Sequence, residues 1–265
     1  MRLPECRVLL TGASGGIGLP LAEQLCAAGA QVLAVSRHAG ALDELMRRYP
    51  EHLRWQAADL RHGADRHAVL DALRRNGGAN LLINVAGVNQ FAMLDQLEEP
   101  CLDDMIELNI GATLHLTRLL LPTLREQRQA LVVNVGSIYG SIGYPGYAVY
   151  CASKFALRGF SEALRRELAD TSVNVLYVAP RTTRTGMNSA AAMALNEALK
   201  ASSDDPRDVA RAVLAAIEAE RSELYLGWPE KLFVRINGML PGIVDRALRK
   251  QLPLIRRHSR HEQQP

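Results

Sequence analysis

The feature that most limits the fold of this chain is a regular alternation of short apolar runs with stretches of helical pattern. The runs that favour strands lie at 7–10, 31–36, 53–57, 81–85, 130–135, 173–179 and 223–226. Helical patterns extend to about residue 28 and then lie near 39–49, 64–75, 102–125, 147–169 and 206–220. Since apolar strands separated by helices pair in parallel and are covered on both faces, the pattern predicts an α/β fold. We expect a doubly wound parallel sheet of about seven strands, with ligands at the carboxyl ends of the strands.

A glycine-rich loop follows the first apolar run. Residues 11–18 read TGASGGIG, which places Gly12, Gly16 and Gly18 in a G-x-x-x-G-x-G spacing. Glycines allow a tight turn from strand to helix and a close approach of the backbone to a phosphate. The helix N-terminus that follows supplies free N–H groups and a partial positive charge. The loop therefore predicts a pyrophosphate site, and a simple tight turn is the alternative interpretation.

The end of the second run bears on the choice of dinucleotide. Enzymes that use NAD place an acid here on the ribose hydroxyls, whereas an arginine suits a 2′-phosphate. This chain has Ser36 and Arg37, and its next acid is Asp43, inside the following helix. Arg37 can form charge-assisted hydrogen bonds to a 2′-phosphate, and Ser36 can donate another. The pattern favours NADP(H), and the alternative is that Arg37 is a solvated surface residue.

A serine, a tyrosine and a lysine between residues 137 and 154 could form an acid–base site. If the segment from Tyr147 is helical, Tyr150 and Lys154 lie one turn apart on the same face. A phenol is mostly neutral at pH 7, and a nearby ammonium lowers the free energy of its phenolate. Tyr150 could then donate a proton to a carbonyl oxygen or accept one from an alcohol, while Ser137 binds the same oxygen. A pair of surface residues on one helix is the alternative.

Taken together, these motifs resemble the short-chain dehydrogenase/reductase family over roughly residues 5–227. Residues 11–18 match the family's cofactor loop, Asp59 and Leu60 match its adenine pair, and 84–87 resemble its Asn-Asn-Ala-Gly. The segment 180–185 resembles its Pro-Gly-x-x-x-Thr, which holds the nicotinamide carboxamide. The resemblance implies a cofactor site formed by Gly12, Ser14, Gly16, Ile17, Gly18, Ser36, Arg37, Asp59, Leu60, Asn84, Ala86, Gly87, Tyr150, Lys154, Pro180, Thr183 and Thr185. Two positions depart from the family pattern: Val85 replaces an asparagine, and Arg181 replaces a glycine.

The same resemblance implies four catalytic residues, Asn109, Ser137, Tyr150 and Lys154. Ser137 would polarise the carbonyl, Tyr150 would donate the proton, and Lys154 would lower the tyrosine's pKa and bind the nicotinamide ribose. Asn109 would hold a proton-relay water through its backbone carbonyl. The expected activity is NADPH-dependent reduction of a carbonyl, reversible as alcohol oxidation, on a small to medium, fairly apolar substrate. The alternatives are a 3-oxoacyl-type reductase of lipid or secondary-metabolite synthesis, or a non-catalytic NADP-binding sensor or scaffold.

Composition excludes several other classes of protein. The chain is 48% hydrophobic and 22% charged, no apolar run is long enough to span a bilayer, and its four cysteines are scattered. We therefore expect a cytoplasmic protein without a metal site. The charge of +3 divides into +5 for residues 228–265 and −2 for the rest, and no basic patch is interleaved with aromatic residues. This distribution argues against nucleic-acid binding. The resemblance implies a homo-oligomer, a dimer or tetramer formed through the helices at 102–125 and 147–169.

Two segments are predicted to add to the catalytic body, which we expect to be one Rossmann-type domain over residues 1–227. A substrate lid at about 182–205 would contain a helix near 188–200, with Ala191, Met193, Ala194 and Leu195 underneath. The opposite wall of the substrate site would be formed by Tyr139, Ile142, Tyr144 and Tyr147. Residues 228–265 form a basic amphipathic extension, broken at Pro241-Gly242. This extension is either an interfacial segment on a membrane surface or a helix packed on the body or on a partner subunit.

Overall fold

Seven strands form one parallel sheet in the order β3-β2-β1-β4-β5-β6-β7. Their bounds are β1 Arg7–Thr11, β2 Gln31–Ser36, β3 Leu53–Ala57, β4 Leu81–Asn84, β5 Ala130–Val135, β6 Val173–Ala179 and β7 Glu223–Tyr225. The structure is a computed structural model that describes the backbone of residues 1–261 and the side chains through residue 259. Residues 262–265, at the end of the predicted extension, lie outside the described residues. The prediction of a doubly wound parallel sheet is confirmed.

Helices cover both faces of this sheet. One face carries α1 Gly18–Ala27, α2 Leu42–Arg48 and α8 Pro206–Glu218, and the other carries α3 Gly63–Arg75, α5 Thr113–Arg125 and α6 Ala148–Glu167. Successive residues of β1 supply the two cores in turn, because side chains alternate across a strand: Val8 and Leu10 join the first, and Leu9 joins the second. The sheet is therefore buried on both faces, and its strand ends remain as the place for a ligand.

The predicted helix at 102–125 is interrupted. It consists of α4 Glu99–Ile106, a π-helical turn at Glu107–Ala112 and then α5. A π-helical turn inserts an additional residue into a helix and is frequent at functional sites. Here it contains the buried Asn109, whose side chain bonds to the loop after β4. An apolar pattern of period 3.6 cannot reveal such an insertion, because the residues on either side keep the helical periodicity.

Three further helices complete the chain: α7 Ala190–Ala198, α9 Glu230–Met239 and α10 Pro241–His261. The break between α9 and α10 lies at the predicted position, because Pro241 cannot continue a helix. The inner side of α10 packs on α7, and its Ile255 is fully buried with Phe91 and Tyr147. One face of the extension therefore contacts the body, and the division of domains at residue 227 stays a prediction. Within residues 1–261, no helix is long and apolar enough to cross a bilayer.

Candidate active site

A cleft of about 820 Å³ runs along the carboxyl ends of the strands. Most of the residues that the sequence assigns to the site line it: Gly12, Ser14, Gly16, Ile17, Ser36, Arg37, Asp59, Leu60, Ala86, Gly87, Ser137, Tyr150, Lys154, Pro180, Thr183 and Thr185. Three of the assigned residues, Gly18, Asn84 and Asn109, lie behind this lining. The loops after six neighbouring strands thus bring together residues that are far apart in the chain.

The glycine loop leaves no room for side chains at its key positions. Gly12 has a φ of +64°, and a Cβ there would lie 2.7 Å from the backbone nitrogen of Ala86. A Cβ on Gly18 would lie 2.1 Å from the carbonyl oxygen of Gly12. This steric limit explains why position 18 is a glycine, although it does not line the cleft. The hydroxyl of Thr11 accepts hydrogen bonds from the backbone N–H groups of Val85 (3.0 Å) and Ala86 (3.2 Å). The bare turn at the start of α1 fits a dinucleotide pyrophosphate, and Val85 contributes through its backbone.

Asn84 holds two strands together and does not face the cleft. Its Nδ2 donates to the Thr117 hydroxyl at 3.2 Å and to Asn134 Oδ1 at 2.9 Å. Asn134 Nδ2 donates in turn to the hydroxyl of Ser161 at 2.9 Å. All four residues are buried, so this chain of hydrogen bonds links β4 and β5 to α5 and α6 beneath the site. Thr117, Asn134 and Ser161 were not predicted to belong to the site. The polar Asn134 within the apolar run of β5 could have indicated a buried hydrogen-bond partner.

The end of β2 presents one exposed cation to the cleft. The Ser36 hydroxyl donates to the His38 carbonyl at 2.7 Å and accepts from Trp55 Nε1 at 3.0 Å, so it is already engaged. Arg37 is exposed and lines the cleft, and among the described residues it forms no ion pair. Of the two residues predicted to bind a 2′-phosphate, Arg37 is therefore the one whose hydrogen-bonding groups are available.

Asp59 is held by a residue that the sequence analysis did not consider. Arg61 Nε lies 3.0 Å from Asp59 Oδ1, and Arg61 Nη2 lies 2.5 Å from Asp59 Oδ2. The hydrogen bond from Arg61 holds the pKa of Asp59 at about 2, so this carboxylate is ionised at neutral pH. Arg61 also pairs with Asp104 and lines the cleft. The end of the cleft where adenine is expected therefore contains an ion-pair network of Asp59, Arg61 and Asp104.

Ser137, Tyr150 and Lys154 converge where β5 ends and α6 begins. The side chain of Ser137 acts on the Tyr150 phenol and lowers its pKa, and the Lys154 Nζ lies 5.6 Å from the centre of the Tyr150 ring. Lys154 Nζ also donates to the carbonyl oxygen of Val135 at 3.2 Å, which fixes the ammonium under the end of β5. The one-turn spacing on α6 therefore places phenol and amine side by side, as the sequence predicts.

Burial controls the proton affinities of this pair. It raises the pKa of Tyr150 to about 12, against a hydrogen bond from Ser137 that lowers it. It also lowers the pKa of Lys154 to about 8. The pKa of Tyr150 is therefore shifted upward by burial, opposite to the lowering expected from Lys154. Tyr150 therefore carries its proton at neutral pH, as a proton donor must.

Asn109 connects the loop after β4 to α6. Its Oδ1 accepts from the Val88 N–H at 2.8 Å, and its Nδ2 donates to the Val88 carbonyl at 2.9 Å and the Ser153 hydroxyl at 3.1 Å. A Cβ on Gly87 would come within 3.0 Å of Asn109 Oδ1 and 3.7 Å of Lys154 Nζ. The side chain of Asn109 is fully used in positioning, so any further role falls to its backbone.

Helix α7, which lies in the predicted lid, presents a different face from the predicted one. Ala192 and Leu195 are buried and Leu199 packs beside them, whereas Ala194 is exposed and Met193 is 56% exposed. The positions 192, 195 and 199 recur at the spacing of one helical face, so Met193 and Ala194 point to solvent. The prediction was therefore wrong for these two residues and right for Ala191 and Leu195, which pack in the same cluster.

Arg181 clamps the base of the lid to the C-terminal extension. Its Nη2 lies 2.7 Å from Asp204 Oδ1, and its Nη1 lies 3.3 Å from Glu230 Oε2 on α9. The same Nη1 donates to the carbonyl oxygen of Trp228 at 3.4 Å. The structure thus assigns the guanidinium that replaces the family's glycine to two carboxylates from other segments of the chain. Arg181 thereby joins three segments at the cleft mouth.

The substrate end of the cleft has two apolar walls. Tyr139, Ile142, Tyr144 and Tyr147 line one side, as predicted, and the Tyr139 and Tyr144 rings stack at 5.2 Å between centres. The facing wall comes from the extension: Phe233, Ile236, Ile243, Val244, Ala247, Leu248 and Gln251. The Tyr144 hydroxyl donates to Gln251 Oε1 at 3.3 Å and joins the two walls. The sequence analysis did not place the extension in the site, although its apolar residues recur at helical spacing.

Comparison with known proteins agrees with this geometry. The family model of the short chain dehydrogenases matches residues 7–195. The chain is 37% identical over 191 residues to the uncharacterized oxidoreductase DltE of Bacillus subtilis, which covers 71% of this chain and 75% of DltE. It is 32% identical over 231 residues to the 3-oxoacyl-[acyl-carrier-protein] reductase FabG of Vibrio cholerae, covering 83% of this chain and 93% of FabG.

Solved structures extend the likeness into the C-terminal helices. A short-chain dehydrogenase from Streptomyces avermitilis has a TM-score of 0.80 at 31% identity and covers 95% of this chain, with 98% of its own chain matched. A short chain dehydrogenase from Burkholderia cenocepacia, solved in complex with NADP, has a TM-score of 0.79 at 27% identity, covering 94% of this chain and 99% of that chain. The protein is an oxidoreductase that belongs to the short-chain dehydrogenase/reductase family.

Proposed function

We propose that the protein catalyses NADPH-dependent reduction of a carbonyl group, reversible as alcohol oxidation, on a fairly apolar substrate. The observation that carries this proposal is the convergence of Ser137, the protonated Tyr150 and Lys154 in the wall of one cleft, with the Lys154 ammonium beside the Tyr150 ring. A protein that only binds a dinucleotide has no need of all three side chains. The aromatic wall and the facing apolar residues of α9 and α10 suit a substrate with few charges.

Each catalytic side chain has a distinct role in this mechanism. Bound NADPH supplies a hydride to the carbonyl carbon. The Ser137 hydroxyl orients and polarises the carbonyl oxygen, and Tyr150 transfers its phenolic proton to that oxygen. Lys154 stabilises the resulting phenolate and binds the ribose, while Asn109 positions the loop that carries Gly87 beside Lys154 Nζ. Oxidation runs the same proton transfer in reverse.

The test of this function is a panel of ketones with NADPH, followed by the loss of absorbance of the reduced cofactor. Turnover that disappears in Tyr150→Phe supports the proposal. Binding of NADPH without turnover of any ketone would favour the alternative of a non-catalytic sensor or scaffold.

NADP(H) is the cofactor we propose, because Arg37 is the exposed cation at the end of β2 and no acid stands beside it. Arg37→Asp should raise the KM for NADPH by about 10–100-fold, as expected for the loss of a charge-assisted contact to phosphate and the gain of a repulsive charge. The KM for NADH should stay the same or fall. Steady-state kinetics with both cofactors measure this, and an equal change for both would show that Arg37 does not read the 2′-phosphate.

The pH dependence of reduction should follow Lys154. Its pKa is lowered to about 8, so the ammonium is present below that pH and is lost as the pH rises through it. The phenol of Tyr150, with a pKa of about 12, keeps its proton throughout this range. We expect kcat for reduction to be level near pH 7 and to fall above about pH 8, measured at saturating NADPH. A level profile up to pH 10 would contradict the role given to the ammonium.

The similarity to FabG favours one second candidate, a 3-oxoacyl-type reductase. The two functions share the catalytic step and differ in the substrate. Comparing kcat/KM for a 3-oxoacyl thioester with that for simple ketones of equal chain length separates them, because only the second candidate requires a preference for the thioester.

Self-association stays a proposal as well. The segments proposed to form the subunit contact, 102–125 and 147–169, carry two of the exposed large apolar side chains, Ile106 on α4 and Phe155 on α6. Light scattering of the full chain measures the mass, and a monomer at micromolar concentration would contradict a stable dimer or tetramer.

A further inference from the structure

The junction of α9 and α10 carries an unusual amount of exposed apolar surface. Six of the eleven large apolar side chains that are exposed among the described residues lie within 228–243: Trp228, Leu232, Phe233, Met239, Leu240 and Ile243. Met239 is 81% exposed and Trp228 is 71% exposed, so these side chains project from the surface and do not line a groove. We call the segment 228–243 the elbow. Exposed apolar surface of this kind marks a site of interaction with another protein or with a membrane.

Cations surround the elbow. Residues 228–259 contain seven Lys/Arg against two Asp/Glu, and one of these acids, Glu230, is paired with Arg181. Lys231, Arg235, Arg246, Arg249 and Lys250 are exposed, and none of them forms an ion pair with another residue of the described chain. Within α9, Lys231 and Arg235 lie one turn apart, next to the apolar residues Leu232, Phe233 and Ile236. The elbow therefore combines projecting apolar groups with unpaired positive charge.

The same elbow forms the mouth of the substrate cleft. Phe233 and Ile243 are exposed and also line the cleft, so its apolar wall continues without interruption onto the outer surface. The inner side of α10 is anchored through Ile255, which is fully buried against the body. Arg181 ties α9 to the base of the lid through Glu230. The elbow is thus held in a fixed place at the entrance.

We propose that the elbow inserts into the interface of an anionic bilayer and opens the substrate cleft toward the lipid. Aromatic and aliphatic groups flanked by lysine and arginine bind at the headgroup level of such membranes, with affinity that grows with negative lipid. The entry route rests on the proposed reductase function, and its substrates are then carbonyl compounds that partition into lipid. Membrane binding itself does not depend on turnover.

The binding test uses the full chain and sedimentation with vesicles of equal phosphatidylglycerol and phosphatidylcholine, and with vesicles of phosphatidylcholine alone. The wild type should sediment with the anionic vesicles and bind the neutral ones at least about tenfold more weakly. The double variant Met239→Ser/Leu240→Ser should weaken binding at least about tenfold. Met239 and Leu240 lie outside the cleft lining. The double variant should therefore reduce a small, water-soluble ketone with NADPH at the same rate as the wild type.

Two further variants separate the contributions. Lys231→Glu/Arg235→Glu should lower binding to anionic vesicles more than about tenfold and weaken the dependence of binding on salt, while Arg246, Arg249 and Lys250 remain. Leu94→Ser is the matched control: it removes an apolar side chain about as exposed as Leu240, from the turn Leu94–Gln96 outside the elbow. This variant should bind anionic vesicles like the wild type.

Three results would overturn the proposal. The first is a wild type that stays in the supernatant with anionic vesicles. The second is an elbow that pairs two copies of the chain, seen as a doubled mass that the Met239→Ser/Leu240→Ser variant halves. The third is an elbow that binds an acidic acyl carrier protein while the wild type fails to bind vesicles. A protein that binds anionic vesicles but reduces no ketone would retain the membrane site and refute only the proposed function.

Discussion

Tyr150→Phe is expected to lower kcat for ketone reduction by at least about 10³-fold, because the variant loses the group that protonates the carbonyl oxygen. The change removes a single oxygen atom from a ring that packs between Tyr139 and Tyr147, so the aromatic wall stays intact. The dissociation constant for NADPH should change by less than about threefold, since Lys154 and the glycine loop remain. Steady-state kinetics and fluorescence titration with NADPH measure the two quantities.

The matched control for this variant is Tyr144→Phe, which removes a hydroxyl from the same wall. The Tyr144 hydroxyl bonds only to Gln251 across the cleft in the described structure, so its loss should lower kcat at most about tenfold, as for one neutral hydrogen bond. If Tyr150→Phe lowers kcat for ketone reduction no more than Tyr144→Phe does, then Tyr150 is not the proton donor.

The second large effect is expected at Lys154, where methionine preserves the length of the side chain and removes its charge. Lys154→Met should lower kcat by about 10²–10³-fold, because the phenolate that forms on Tyr150 loses the adjacent ammonium. The affinity for NADPH should also fall, by about 10–100-fold, which is the value of one charge-assisted hydrogen bond to the ribose.

The pairing of a kcat effect with a Kd effect distinguishes Lys154 from Tyr150. Thermal melting of Lys154→Met checks that the fold survives, since the substitution also leaves the Val135 carbonyl without its donor. If the folded variant binds NADPH with normal affinity, the proposed contact between Lys154 and the ribose is refuted. If the folded variant has a normal kcat, the proposed stabilisation of the Tyr150 phenolate by Lys154 is refuted.

The parts of the molecule that sequence analysis predicted correctly depend on local chemistry. The seven strands follow from apolar runs, and the glycine loop follows from steric limits that the structure makes explicit at Gly12 and Gly18. The one-turn spacing of Tyr150 and Lys154 is also local, since a helix fixes it. For these features a few neighbouring residues carry the whole signal.

The parts that were missed depend on contacts between distant segments. Arg181 meets Glu230 only because the extension folds back over the cleft, and Gln251 meets Tyr144 for the same reason. The ion pair between Asp59 and Arg61 could be suggested from the sequence, since the two residues are close in the chain. The sequence could not show whether Asp59 prefers this pair to a contact with adenine. The neutral state of the Tyr150 phenol agrees with the sequence-based expectation, but the direction of its pKa shift does not, because burial, which a sequence does not show, raises this pKa.

The most direct measurement of the central claim is the transfer of deuterium to a ketone substrate from NADPH that carries deuterium at both C4 positions of the nicotinamide. Mass spectrometry of the alcohol product should show one deuterium at the former carbonyl carbon for the wild type, and no product for Tyr150→Phe. An alcohol that forms without deuterium, or a wild type that binds NADPH yet reduces no ketone of the panel, would contradict the claim.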